Sequence, residues 1–177
     1  MIPESINRLR KPTKLVENRI QFAGPNSEVS IYDTYEPEEK VGLDADQILY
    51  CGMINGKKIM HSPGCDAEIF LPHETFIMAP GSSVEIDFPL AKKEDPTSCL
   101  TVEISKEKVS SIADCMNHSF SLDSTHREWS YNTQVMHTLH STNTQQLLSR
   151  LVGIFTDNHP DRNMLIDLHI SELVIRM

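Results

Sequence analysis

Positive charge is scarce in this sequence, which has 16 lysines and arginines against 25 aspartates and glutamates and a formal net charge of -9. Binding to nucleic acid depends on a concentrated Lys/Arg face that meets the phosphate backbone. The net negative charge therefore argues against this chain binding nucleic acid by itself. Glycine is scarce too. The sequence has seven glycines, and they form no phosphate-binding glycine-loop motif.

Long apolar runs are also missing. No stretch approaches the ~20 consecutive apolar residues that a membrane-spanning helix needs. The N-terminal segment MIPESINRLRKPTKLVENR is polar and lacks the apolar core of a secretory signal. The four cysteines form no C-x-x-C pair, which is typical of small buried side chains in a reducing compartment. We predict a soluble, cytoplasmic protein that has no membrane partner.

Short apolar runs alternate with turn-forming residues between residues 48 and 104, a pattern typical of strands. Asn55-Gly56 predicts a hairpin, because this pair tolerates positive φ at both central turn positions. A second turn is predicted at residues 79–82. Apolar and acidic residues alternate along residues 84–88, and residues 100–104 repeat the alternation, which indicates strands with one face in water. The pattern predicts an antiparallel sandwich or a small barrel.

The flanking segments attach to this body of strands. Residues 1–27 are polar and contain three prolines, so we predict an N-terminal arm with a short helical piece near residues 6–9. Residues 28–35 are predicted to form a first strand. Residues 36–46 are acidic and contain proline and glycine, which predicts a loop.

A helix is predicted to begin at Ser105, whose side chain can cap free backbone N–H groups. Val109, Ile112, Ala113 and Met116 then form one apolar stripe. Residues 117–127 are predicted to be a loop, and a further strand is predicted near residues 134–140.

The last segment has helical periodicity. Thr142 with Gln145 fits a capping box, and Pro160 breaks the run into two helices. The apolar surface of this helical pair is too broad for one packing partner, which favours dimerisation over packing wholly on the chain's own strands. The predicted dimer interface consists of Leu147, Leu151, Ile154, Phe155, Leu168 and Leu173.

Three separated segments resemble the N-terminal half of AraC-type transcriptional regulators: EIDFPLAKKEDPTSCLTVEIS, LLSRLVGIFTDNHPDR and LIDLHISELVIRM. The resemblance implies a mainly β fold with C-terminal α structure, a cupin-like antiparallel β-barrel (jelly roll) followed by a helical hairpin. We therefore divide the chain into an arm (1–27), a ligand-sensing barrel with one helix (28–140) and a helical dimerisation pair (141–177).

In function, the resemblance implies a module that senses a small-molecule effector and forms a homodimer, without a cofactor and without catalysis. DNA would be bound only through a C-terminal helix-turn-helix domain, which we expect in a longer form of the protein. Two alternatives are a stand-alone metal-dependent cupin enzyme and a small-molecule-binding module without a regulatory role.

The enzyme alternative would need a metal site. Cupin enzymes hold a metal with a His-x-His pair, a nearby glutamate and a distant histidine. The sequence offers His61, Glu68 and His73, without a His-x-His pair, so we predict no metal site. His137 and His140 are close in sequence but would point to opposite faces of a strand. Glu85 and Asp87 share one strand face. We interpret them as solvated surface carboxylates rather than as a catalytic pair for acid–base chemistry.

Five residues are candidates for ligand contact inside the barrel, because they carry polar or aromatic side chains near predicted strands. Whether each faces inward depends on strand register, since a shift of one residue moves every side chain to the other face. The candidates are Tyr50, His61, His73, Glu103 and Trp129.

Overall fold

Ten strands in the described part of the chain form two antiparallel sheets that pack face to face. A computed structural model describes Ile6 and residues 10–119, 128–130 and 134–177. One sheet has six strands in the order β1-β2-β9-β4-β7-β10, and the other has four in the order β3-β8-β5-β6. The strands are β1 (Asn18–Gly24), β2 (Ser27–Thr34), β3 (Val41–Asp44), β4 (Ile48–Asn55), β5 (Lys58–His61), β6 (Glu68–Phe70), β7 (Glu74–Met78), β8 (Ser83–Asp87), β9 (Thr97–Ile104) and β10 (Met136–Leu139).

The space between the sheets is one hydrophobic core, which we call the barrel core. The six-stranded sheet contributes Met53 and Met78, and the four-stranded sheet contributes Met60 and Ile86. The predicted alternation in residues 84–88 is confirmed, since the apolar side chains of β8 are buried while Glu85 is exposed. The sequence prediction of an antiparallel sandwich is therefore correct.

Three helices cover the other face of the six-stranded sheet: α1 (Lys106–Ser119), α2 (Thr142–Thr156) and α3 (Arg162–Arg176). They bury a second core, the helix-side core, against this sheet. Strand β9 is consequently buried on both faces, with Val102 toward the helices and Cys99 in the barrel core. The prediction that residues 100–104 have one face in water is wrong, because the face opposite the helices, which carries the 3%-exposed Thr101, lies toward the barrel core.

Local capping explains where the helices begin. Ser105 Oγ accepts a hydrogen bond from the Lys108 backbone N–H at 3.2 Å, as predicted for α1. In α2 the capping residue is Ser141, whose Oγ accepts from Thr144 N–H at 3.2 Å. The predicted cap at Thr142 was one residue late. The predicted break at Pro160 is confirmed, since α2 and α3 lie on either side of it.

Asn55-Gly56 is a turn but not a hairpin. Strands β4 and β5, which it joins, lie in different sheets and do not pair with each other. Only Gly56 has positive φ, at 85°, and a Cβ there would lie 2.7 Å from Thr97 Oγ1. Asn55 instead bonds through its side chain to Asp95 Oδ1 at 2.8 Å. The turn therefore carries the chain from one sheet to the other.

Two strands were not foreseen. Strand β1 lies within the predicted N-terminal arm and pairs along its length with β2. Strand β3 lies within the predicted acidic loop and pairs with β8. The predicted helical piece near residues 6–9 lies outside the described residues except for Ile6, which is helical and buried in the helix-side core. The predicted loop at 117–127 begins too early, since residues 117–119 belong to α1, and residues 120–127 lie outside the described residues.

None of the described helices has the length and apolar character needed to cross a membrane.

Candidate functional site

Lys58 lies in the barrel core and exposes only 4% of its surface. The alternation of β5 turns Lys58 and Met60 inward, while Ile59 and His61 face outward. The ammonium donates a hydrogen bond to Cys99 Sγ at 3.0 Å and lies 3.7 Å from Glu17 Oε1. The barrel core therefore holds one buried cation beside a weak acceptor and a more distant carboxylate.

Burial is the largest influence on the pKa of Lys58 and lowers it, whereas the Glu17 carboxylate and the hydrogen bond to Cys99 raise it. The net pKa is raised, so the ammonium is charged at neutral pH. Burial raises the pKa values of the Cys51 and Cys99 thiols. Both thiols are therefore protonated at neutral pH and are poor nucleophiles.

Polar atoms beside Lys58 and along the barrel-core face of β9 are buried without a hydrogen-bond partner among the described residues. Glu17 Oε1 is one of them, and Thr101 Oγ1 is another. Thr101 projects from β9 on the same side as Cys99, toward the barrel core, because side chains two apart on a strand share a face. Buried polar atoms are nearly always paired, so the Thr101 hydroxyl is a place where a bound group would supply the partner, whereas Glu17 Oε1 already faces the Lys58 ammonium.

A charged rim adjoins this cluster on the same face of the six-stranded sheet. Arg19 lies opposite Tyr32, its guanidinium carbon lies 5.5 Å from the centre of that ring, and its Nη2 bonds to Glu28. Burial raises the pKa of Tyr32 to about 12, so its phenol stays protonated at neutral pH. Burial, followed by the Glu28 charge, raises the pKa of Glu103, which lies 3.6 Å from Arg19. The rim therefore places one guanidinium between two carboxylates.

Only one of the five predicted ligand residues, Glu103, lies on the barrel-core face of the six-stranded sheet. Tyr50 belongs to the helix-side core. His61 lies on the outer face of the four-stranded sheet and bonds to Asp87 at 2.7 Å. His73 stands in the turn before β7 and bonds to Gln145 of α2. Trp129 is 51% exposed. The prediction that these four face the barrel is wrong.

The candidate metal residues do not come together. His61 pairs with Asp87, while Glu68 accepts from His137 at 2.9 Å. Within the described ranges, no group of three or more His, Cys, Asp or Glu side chains is arranged to hold a metal ion. His137 and His140 have separate partners, in keeping with opposite faces: His137 bonds to Glu68 and Glu74, whereas His140 bonds to Thr75.

Glu85 and Asp87 do not act as a carboxylate pair in the structure. Glu85 is exposed, whereas Asp87 accepts hydrogen bonds from the Lys40 backbone N–H and from His61. The Lys40 bond first, and the His61 bond second, lower the pKa of Asp87. Asp87 is therefore ionised at neutral pH, and its contacts are structural.

The helical pair packs on this chain's own sheet through most of the predicted dimer residues. Leu147, Leu151 and Leu173 are 0% exposed and Phe155 is 2% exposed. Side chains without exposed surface cannot contact a second copy, so the interface prediction is wrong for these four. Ile154 is half-buried against the same core, and Leu168 is 58% exposed.

Helix α3 nevertheless presents an apolar stripe to solvent, which we call the α3 seam. It consists of Met164, Leu168 and Ile175, which are 70%, 58% and 54% exposed. The spacings of four and seven residues place all three on one side of the helix, as in the seam of a coiled coil. Of the predicted interface residues, only Leu168 belongs to the α3 seam.

A sequence profile of the AraC-type transcriptional regulator N-terminus matches residues 25–177. The chain belongs to this family. The resemblance inferred from three sequence segments is therefore confirmed. Domains of this family are regulatory and typically non-enzymatic. A comparison with curated protein sequences gives no match.

The solved structures that resemble this AraC-type domain include several of ToxT from Vibrio cholerae. An apo lysine-to-alanine variant of ToxT has a TM-score of 0.61 and 13% identity, over 85% of this chain and 55% of that chain. A 1.65 Å ToxT structure has a TM-score of 0.58 and 9% identity, over 84% and 54% of the two chains. ToxT bound to (E)-4-(8-methylnaphthalen-1-yl)but-3-enoic acid has a TM-score of 0.56 and 10% identity, over 84% and 55%.

At these identities the likeness concerns the fold, and it supports the predicted cupin-like sandwich followed by helices. The AraC-type domain spans about half the length of the ToxT chains. Sequence reasoning missed Lys58. It is one of two adjacent lysines that follow a turn, and residue type alone does not distinguish it from the less buried Lys57. A signal was present in the strand period, which places Lys58 in phase with Met60 on the inward face.

Proposed function

We propose that this AraC-type domain is the effector-sensing and dimerisation part of a bacterial transcription regulator. In this role it is cytoplasmic and non-enzymatic, and it controls sequence-specific DNA binding by a C-terminal helix-turn-helix domain. The observation that carries the sensing role is the buried cluster around Lys58, a cation and partnerless polar atoms inside a regulator domain.

An anionic small molecule suits this cluster. Its negative group would accept from the Lys58 ammonium more strongly than the Cys99 sulfur does, because charge-assisted hydrogen bonds are the strong ones. The ToxT ligand, a carboxylic acid with an apolar body, belongs to the same chemical class. Thr101 Oγ1 would supply a further hydrogen bond within the barrel core.

Effector binding would also change the surroundings of Glu17. This residue lies just before β1 with φ of 50°, and its carboxylate is held near Lys58 by charge. An anion on Lys58 would repel the carboxylate and favour its release into solvent. The effector would thereby bias the segment before β1, which is a coupling between two sites.

The α3 seam supports a homodimer. Apolar side chains exposed in one stripe favour pairing with an identical stripe, and pairing about a two-fold axis is the commonest form of oligomer. In this arrangement the α2–α3 hairpin stays packed on its own sheet and offers only its outer side to the partner.

DNA binding by the full-length protein tests the regulatory function. Fluorescence anisotropy of the full-length protein would be measured with duplex DNA from the neighbouring promoter. We expect sequence-specific binding that weakens steeply as salt is raised. Failure of the full-length protein to bind any duplex would refute the regulatory role.

A thermal-shift screen with organic anions tests the sensing role separately. We expect an anion that raises the melting temperature of the wild-type domain and has no effect on Lys58→Met, because stabilisation by a ligand requires binding to the folded state. Lys57→Met serves as the matched control and should keep the response. An equal response in Lys58→Met would place the effector elsewhere.

A further inference from the structure

Asn55 and Gly56 lie in the turn that carries the chain from one sheet to the other, and they form the single Asn-Gly pair in the sequence. Asparagine before glycine is the dipeptide most prone to deamidation, because glycine has no side chain to shield its backbone nitrogen from the neighbouring side-chain amide. Asn55 is exposed, so water and hydroxide reach it. The chain can therefore modify itself at this turn without an enzyme.

Two acceptors hold the Asn55 amide in the folded protein. Its Nδ2 atom donates to Asp95 Oδ1 at 2.8 Å and to the Pro96 carbonyl oxygen at 2.9 Å. A primary amide has two N–H groups to donate, so both are engaged. Closing a ring on the Gly56 nitrogen takes Asn55 out of the extended backbone conformation of β4. The amide therefore has to leave both acceptors before it reacts.

Deamidation needs no oxidant and no reductant. The Gly56 nitrogen forms a bond to Asn55 Cγ, the bond from Cγ to Nδ2 breaks, and Nδ2 leaves as ammonia with the proton that Gly56 loses. One water molecule then opens the cyclic imide. Opening on one side gives aspartate at position 55, and opening on the other side gives isoaspartate, in which the side-chain carbon becomes part of the main chain.

Neither product can rebuild the contacts of the turn. Each replaces the amide by a carboxylate, which has no hydrogen to donate to Asp95 or to the Pro96 carbonyl oxygen. Isoaspartate also lengthens the main chain next to Gly56, where a Cβ would lie only 2.7 Å from Thr97 Oγ1. The turn leads directly into β5, so its release loosens the strand that carries Lys58.

We propose that Asn55 is a deamidation site whose rate is set by the opening of its contacts with Asp95 and Pro96, and that the reaction releases the turn irreversibly. The fraction of modified chains thereby reports how often the turn has opened over the lifetime of the protein. The site depends neither on an effector nor on DNA binding, so its test is independent of the proposed function.

Peptide mass spectrometry after incubation in mildly alkaline buffer measures the reaction, and isoaspartate methyltransferase detects the isoaspartate product. We expect Asn55 to deamidate in the folded wild-type protein and to react about tenfold faster in Asp95→Ala, because a hydrogen bond to a charged group no longer holds the amide. Glu94→Ala removes the neighbouring exposed carboxylate instead and should leave the rate unchanged. Asn26, exposed in the turn between β1 and β2 and followed by serine, is the internal control and should react equally in all three proteins.

Asn55→Asp has the same side chain as the aspartate product and tests the release of the turn. We expect it to lower the melting temperature by about 5 °C, because the bond to Asp95 is lost and two carboxylates take its place. Adding Asp95→Asn exchanges donor and acceptor, so the amide at position 95 donates to the carboxylate at position 55. This second change should recover part of the loss.

Three results would overturn this inference. The first is an Asn55 that stays intact in the folded wild-type protein while Asn26 is converted. The second is an Asp95→Ala variant in which Asn55 reacts no faster than in the wild type, since the contacts then do not set the rate. The third is an exchanged pair that is as unstable as Asn55→Asp alone. The first two results are decisive even if Asn55→Asp fails to fold.

Discussion

Lys58 shows how a single side chain depends on its partners. Burying an ammonium ion costs several kcal/mol of lost hydration, which nearby negative charge can offset. Here the offset comes from Glu17, at 3.7 Å, and from the hydrogen bond to Cys99. The Glu17 side chain is only 21% exposed, so the Lys58 ammonium in turn stabilises the Glu17 carboxylate.

Lys58→Met should therefore destabilise the fold, because it leaves the Glu17 carboxylate half-buried without its counter-charge. We expect a loss of about 3 kcal/mol in the free energy of unfolding. Urea denaturation followed by circular dichroism measures it. Adding Glu17→Gln to Lys58→Met should recover part of the loss.

Lys57→Met is the matched control and should change the free energy of unfolding by no more than about 0.5 kcal/mol. If both lysine variants lost the same stability, or if the Glu17 and Lys58 effects were additive, the pairing of these two side chains would be refuted.

At the scale of elements, the α2–α3 hairpin is fastened to the edge of the sheet. Gly24, at the end of β1, lies against Phe155 of α2 and Ile166 of α3. Arg162 reinforces this junction, since its Nη2 donates to the carbonyl oxygens of Ala23 at 2.7 Å and Phe155 at 2.9 Å. The close approach of helix to strand requires a residue without a side chain at position 24.

Gly24→Ala tests this junction. The added Cβ would lie 2.8 Å from Phe155 Cε1 and 3.0 Å from Ile166 Cγ2, so the hairpin must shift. We expect a loss of about 1–3 kcal/mol in unfolding free energy, as for other overpacked cores. Gly42→Ala, where a Cβ would meet nothing within 4 Å, should show no comparable loss in the same denaturation experiment.

The α3 seam makes a second prediction at this scale. The wild-type domain should have twice the 20.1 kDa chain mass in light scattering at micromolar concentration. Met164→Glu combined with Leu168→Glu should give a folded monomer, because both side chains are exposed and only the partner would cover them. Leu151→Asp should instead unfold the chain, since Leu151 is 0% exposed.

Leu90→Glu serves as the control for the seam, because Leu90 is 61% exposed and lies after β8, away from α3. This variant should remain dimeric. A wild-type monomer, or a dimer that survives the two substitutions in α3, would show that the seam is not the interface.

For the whole molecule, charge limits what the domain can bind. The formal net charge is -9, and the three arginines of the α2–α3 region are engaged. Arg162 bonds to backbone carbonyl oxygens, while Arg150 and Arg176 both lie near Glu172. The helices thus have no cationic face to present to phosphates.

We therefore expect residues 1–177 alone to show no salt-sensitive binding to promoter DNA in gel-shift and anisotropy assays. The reason is that duplex binding needs several cationic phosphate contacts and side chains placed in a groove. The full-length protein, measured on the same DNA, is the positive control. Specific binding by residues 1–177 would mean that the C-terminal helices contact DNA, and it would refute the charge argument.

The sequence by itself determined the class of fold and the family. Alternation in residues 84–88, the turn at 79–82 and the break at Pro160 are local signals, and each was confirmed because neighbouring residues alone decide it. Strand β1 escaped prediction because its alternation rests on only Ile20 and Phe22 within a polar, proline-containing segment, and its place in the sheet is decided by pairing with β2.

Tertiary structure decided which face each side chain meets. Tyr50 and Leu49 are neighbours in one strand, but Tyr50 lies under the helices and Leu49 lies in the barrel core. The sheet is covered on both sides, so an apolar pattern cannot tell one face from the other. For the same reason, helical periodicity identified the apolar residues of the hairpin but not which of them, such as Leu151 or Leu168, its own sheet would bury.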